Sequence, residues 1–105
     1  MRTRVMLLGR TPFDPDQVRA ALDARLDVDI VTGTSLEDVR SAFDDSIVDV
    51  VIMGAGIPLA DRLAVIDHIY TVSDATTVHM KDRASGMGGM MPFVNQVLAG
   101  LTTDR

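Results

Sequence analysis

The stretch Val48-Asp49-Val50-Val51-Ile52-Met53-Gly54 decides the fold. From Val50 to Met53 it is apolar without interruption, rich in β-branched side chains, and stopped by a glycine. A strand with one wet face alternates apolar and polar residues; a strand covered on both faces does not. This segment is therefore expected in the interior of a parallel sheet. Val5-Met6-Leu7-Leu8, ended by Gly9, repeats the pattern nearer the amino terminus. Val28–Thr32 alternates in part, and Thr76–Met80 is β-branched but less apolar, so both are expected at sheet edges.

Helical signals fill the gaps. Asp14 is placed to cap a helix that has Pro15 at its first position, with Gln17 as capping-box partner and Phe13 and Val18 as a hydrophobic staple. Val18, Ala21, Leu22 and Leu26 continue one apolar stripe. A second helix starts at Thr34 or Ser35, with Thr34 and Glu37 as a capping box and Leu36, Val39 and Phe43 on the buried side. A third spans about 59–72, with Leu63, Ile66, Ile69 and Tyr70 expected to face inward. The fourth opens near Pro92 and carries Phe93, Val94, Val97, Leu98 and Leu101.

Strands alternating with helices imply a parallel sheet covered on both faces, and right-handed crossovers restrict its topology. With the two most apolar strands in the centre, the strand order is 2-1-3-4. The expected architecture is a three-layer α/β/α sandwich: residues 1–105 form one α/β domain with a truncated flavodoxin-like sheet.

Composition narrows the chemistry. The 105 residues are 47% hydrophobic, which is too apolar for a disordered chain. There is no cysteine, so disulfides, thiolate catalysis and cysteine-ligated metals are excluded. Val5–Leu8 is too short for the apolar core of a signal peptide, and no run approaches the roughly 20 apolar residues of a membrane span. A cytoplasmic location without membrane attachment is the expectation. The net charge of −5 and the scarcity of aromatic residues argue against nucleic acid as a partner. Lys81 is the only lysine and Glu37 the only glutamate.

Ligands of an open parallel sheet sit beyond the carboxyl ends of the strands, where the strand order reverses. Here that point lies between the turns Gly9-Arg10-Thr11 and Gly54-Ala55-Gly56, with Lys81-Asp82-Arg83 beside them and Gly33-Thr34-Ser35 further along. The candidate binding residues are Gly9, Arg10, Thr11, Gly54, Ala55, Gly56, Lys81, Arg83 and Ser85. Glycines let backbone amides approach a ligand, and Arg10, Lys81 and Arg83 bring positive charge, so the ligand class is an anionic small molecule. A plainer reading stays open: such turns use Gly, Thr and Ser for backbone reasons, with the charge incidental. The Gly86–Gly89 stretch is either a lid or a loose connection.

Catalytic constellations are thin. No P-loop, dinucleotide fingerprint or nucleophile elbow occurs. His79 is the one candidate proton carrier and faces either the cleft or a helix. His68 reads as a solvated helix position, and two histidines without spaced carboxylates make no metal site. No cofactor is expected, flavin included. Met87, Met90 and Met91 either fill the core or form an interface. The fourth strand leaves an exposed edge whose Thr76-Thr77-Val78 stretch carries no charge. A homodimer through that edge, or through the Met-rich region, is the expectation.

The segment 48–54, followed by Ile57-Pro58-Leu59 and a helix, resembles the third strand and following turn of a response-regulator receiver domain. The resemblance covers residues 1–80 in segment order. It implies a phospho-accepting aspartate at the end of that strand, where this chain has Gly54, or Met53 one position earlier. It also implies magnesium-holding acids after the first strand, where this chain has Gly9 and Arg10. Asp14 and Asp16 follow a little later but serve the helix cap. The receiver lysine follows a fifth strand, which is missing here, so its role does not pass to Lys81. The expectation is a degenerate receiver-like domain, without phosphoryl transfer, that binds an anionic small molecule or a protein partner. The alternative is an enzyme or enzyme subunit acting on a phosphorylated or carboxylated metabolite.

Overall fold

Strands β1 (Thr3–Leu8), β2 (Val28–Gly33), β3 (Val50–Met53) and β4 (Thr77–Met80) alternate with helices α1 (Pro15–Ala21), α2 (Leu36–Asp45), α3 (Leu59–Val72) and α4 (Met90–Thr102), the last preceded by a 3-10 turn at Met87–Gly89. The structure is a computed structural model that describes residues 2–84 and 86–102. Every strand pairing is parallel and the order is β2-β1-β3-β4, as the apolar runs predict. Val5 lies opposite Ile30 on one side and Val50 on the other; Leu8 lies opposite Gly33 and Met53.

Successive side chains of a strand point to opposite faces, and the two central strands use both. Met6, Leu8, Val51 and Met53 pack beneath α2 and α3, against Val39, Ala42, Val65 and Ile69. Val5, Leu7, Val50 and Ile52 pack beneath α1 and α4, against Val18, Val94 and Leu98. Each such side chain contributes on the order of 1.5–3 kcal/mol when fully buried. Met90 and Met91 also belong to the α1/α4 layer, so these two methionines fill the core and offer no interface.

Four local expectations need correction. Helix α1 stops at Ala21, so Leu22 and Leu26 reach the core from a turn and not from a helical stripe. Of the two expected starts of α2, Ser35 is the cap, and its Oγ accepts from the Asp38 amide at 3.2 Å; Asp38, not Glu37, replies by accepting from the Thr34 amide at 2.8 Å. Asp38, one residue further on than the expected Glu37, is the acidic partner, and Glu37 pairs with Arg40 on the surface. Helix α4 starts at Met90, which places Pro92 in its first turn, where a missing amide costs nothing. In α3 the buried side chains are Val65 and Ile69, while Leu63 and Tyr70 are 57% and 53% exposed. The helix is apolar on two sides, and the spacing 63-66-70 marks the stripe about a third of a turn from the one that meets the sheet.

Polar side chains close the ends of the elements. Arg4 donates to the carbonyls of Ala42 and Ser46 at 2.9 and 2.7 Å, which caps the carboxyl end of α2 with a cation. Thr76 is buried and donates to the Val48 carbonyl at 2.7 Å, which sets the entry into β4. Asn95 of α4 pins the end of α1: its amide donates to Ala21 O at 3.1 Å and its carbonyl accepts from Asp23 N at 2.9 Å. Asn95→Ala removes both bonds and leaves backbone groups short of partners, so equilibrium urea unfolding should show a loss of about 1–3 kcal/mol. An unchanged unfolding midpoint would mean that the pin contributes nothing.

Candidate functional site

Parallel pairing brings all four strand ends to one rim. The ladder continues one step past the strands: Gly9 N donates to Gly33 O, Gly54 N to Leu8 O and Lys81 N to Met53 O, at 3.1, 2.8 and 2.9 Å. The turns that follow enclose a cleft of about 590 Å³. Gly9, Arg10, Thr11, Gly54, Ala55, Gly56, Lys81 and Arg83 all line it. Ser85, the remaining expected binding residue, lies outside the described residues. Phe13, Gly86 and Met90 also line the cleft. Phe13 and Met90 escaped the sequence reading because both read as core residues, and both are: each faces the α1/α4 layer with one side and the cleft with the other.

The glycines do different work. A Cβ on Gly9 would sit 2.7 Å from Phe13 Cε2, so a larger residue there would have to displace the Phe13 ring. A Cβ on Gly54 would meet only Leu8 O at 3.7 Å and Gly9 Cα at 3.9 Å, ordinary contacts that any alanine makes. Packing therefore does not explain Gly54. Gly86 has φ of 66°, the left-handed region, with open space around it, so the backbone conformation itself calls for glycine.

Positive charge gathers at this rim. Lys81 is 6% exposed, with Nζ 2.9 Å from its neighbour's carbonyl, Asp82 O, and 4.0 Å from Asp82 Oδ1. Arg10 and Arg83 are exposed at the mouth. Among the described lining residues none carries a carboxylate or an imidazole. The lining is cationic, with Asp82 Oδ1 already beside Lys81 Nζ and the amides of Gly9, Gly54 and Lys81 spent in the ladder; the space is of the size that small-molecule sites occupy.

Other expected participants lie elsewhere. Gly33-Thr34-Ser35 opens on a second, smaller cleft of about 380 Å³ lined by Thr34, Ser35 and Asp61, with Arg10 shared between the two. The amino end of α2 is already served by a carboxylate, because Asp38 Oδ2 takes the Thr34 amide. That bond, opposed by partial burial, holds the Asp38 carboxyl below its ordinary value. His79 stands opposite Ile52, on the α1/α4 face, with Nε2 3.1 Å from Thr77 Oγ1, and it does not line the cleft. His68 is half-buried and sits edge-on to Phe43, with ring centroids 6.4 Å apart, where a solvated position was expected. No group of three His, Asp or Glu among the described residues is arranged to hold a metal ion. Among the same residues no helix is long and apolar enough to cross a membrane.

Comparison with family models, with curated proteins and with solved structures gave no match in any of the three.

Burial lowers the His79 pKa below its ordinary 6.5. As pH falls through 6.5 the unfolded chain takes up a proton that the folded chain refuses, so stability present above 6.5 declines toward the depressed folded value. The Asp38 contribution is lost separately, below 3.8. Thermal melts between pH 7.5 and 5 should therefore show a falling midpoint that His79→Gln flattens. Identical slopes in the two proteins would remove His79 as the cause.

Proposed function

We propose that this chain is a small, non-catalytic, receiver-like binding domain whose rim cleft takes a molecule bearing a phosphate or carboxylate. The observation that carries the reading is the convergence of Lys81, Arg10 and Arg83 on one cleft with a glycine-backbone floor, in a protein of net charge −5. Three cations meet at the cleft of about 590 Å³ that the topology opens between β1 and β3. Phe13 and Met90 give that pocket an apolar wall, which suits a ligand with an apolar or planar body attached to its anionic group.

Binding without phosphoryl transfer is supported by the residues at the receiver-matching positions. Gly54, Gly9 and Arg10 offer no carboxylate to accept a phosphoryl group or to hold magnesium, and Arg10 repels a divalent cation. The displacement of His79 from the cleft weighs against the enzyme alternative, which depended on it as proton carrier.

The test is thermal stabilisation and calorimetric titration with a panel of nucleotides, sugar phosphates and aromatic carboxylates. At least one class should raise the melting temperature of the native chain. Lys81→Met keeps the side-chain length and removes the charge, so affinity should fall about 10- to 100-fold, the worth of one charged hydrogen bond. Arg83→Ala should weaken binding less, because an exposed cation is screened. No stabilisation by any anion, or full affinity in Lys81→Met, would sink the reading.

Gly54→Ala gives an independent check. The added methyl finds ordinary contacts, so the melting temperature should stay within a degree or two of the native value. Ligand affinity should nonetheless drop if the backbone at Gly54 touches the ligand. A variant that binds as well as the native chain would release that glycine from the site.

A further inference from the structure

The two edges of the sheet are treated differently. On β2, Arg2 pairs with Asp27 and Asp29 at 2.9 Å each, so the edge carries a cluster of charge. Charges of this kind prevent another strand from adding to a sheet. On β4, Thr77-Val78-His79-Met80 has no aspartate, glutamate, lysine or arginine, and burial lowers the pKa of its one histidine. Its outer side has no strand beside it among the described residues.

An apolar surface adjoins that open edge. Val78 and Met80 stand opposite Val51 and Met53, so they point to the α3 side of the sheet. Met80 is 47% exposed, and Arg62 of α3 reaches across to its sulfur at 3.8 Å, which makes helix and strand one continuous surface. Along α3, Leu59, Leu63 and Tyr70 fall on the second apolar stripe of the helix and are 60%, 57% and 53% exposed. Together with Met80 they leave roughly 400 Å² of apolar side chain in water, at 150–250 Å² for a large side chain. A stable interface buries about 800 Å² per partner, a little over half of it apolar. The patch and the strand edge together match that requirement.

We propose that β4 and the outer stripe of α3 form a homodimer interface, in which the β4 strands of two copies pair antiparallel and continue the sheet across a twofold axis. An axis normal to the sheet keeps Val78 and Met80 of both copies on one face, beneath two α3 helices that cover each other's Leu59, Leu63 and Tyr70. A second copy fits better than an unrelated chain because both requirements, an uncharged edge and an apolar helix stripe beside it, are met by the same surface. This inference is independent of the anion cleft, since neither Leu63 nor Met80 lines it.

Sedimentation velocity from 1 to 100 μM tests it, with the full chain and two variants, Met80→Asp and Leu63→Asp. Both positions are about half exposed, so the variants should keep the native circular dichroism and cooperative melt. The native chain should sediment as a dimer at the upper concentrations, and each variant should shift dissociation at least tenfold toward monomer. Ile47→Asp, at an exposed apolar residue after α2, should leave the dimer intact. A native chain that is monomeric at 100 μM, as it would be if this surface serves a different protein, overturns the proposal. So does a dimer that both charged variants preserve.

Discussion

The parallel ladder through β1 is the constraint from which the rest follows. β1 is hydrogen-bonded on both edges, to β2 and β3, and covered on both faces, so every side chain from Val5 to Leu8 is out of water. β3 is enclosed in the same way and holds Val50–Met53. Each connection crosses a face as a helix, and that crossover returns every neighbour in the direction of β1. All strand ends accordingly meet at one rim, and the residues after Leu8, Met53 and Met80 become neighbours although they are distant in sequence. The cleft is a by-product of that direction and would vanish if one strand were reversed.

The signals that could be read in the sequence were the ones set by burial and by the strand direction. Unbroken runs at Val5–Leu8 and Val50–Met53 identified the central strands because only two-sided cover permits them. The rim residues followed from strand order alone, without knowledge of any side-chain contact. What escaped was rotational or bifunctional. α3 has apolar residues on two sides, and nothing in the spacing of Leu63, Ile66 and Tyr70 tells which side meets the sheet; Val65 and Ile69 do. Phe13 and Met90 serve a core and a cleft together, and apolar patterning reports only the first duty. Ser35 and Thr34 are equally good caps of α2 locally; Ser35 is the one used, and Asp38 takes the acidic place expected of Glu37.

Polarity is distributed with a visible logic. Arginines at positions 2, 4 and 25 are each committed to aspartates or to helix-end carbonyls close to the sheet's other rim or its β2 side. Arg10, Lys81 and Arg83 line the cleft at the rim where the strands end. Isolated surface ion pairs contribute little stability; of the committed arginines, Arg4 is the one that caps a helix end. Lys81 at the cleft is likewise held, by the carbonyl and carboxylate of its neighbour Asp82.

Met80 and Lys81 are adjacent, yet one lies half in water beside α3 and the other is enclosed within the pocket. A single peptide unit thus joins the two surfaces, held by the Lys81 amide on the Met53 carbonyl. The exposed α3-side surface and the cleft therefore lie one residue apart along β4, on a backbone whose register with β3 is fixed through Lys81.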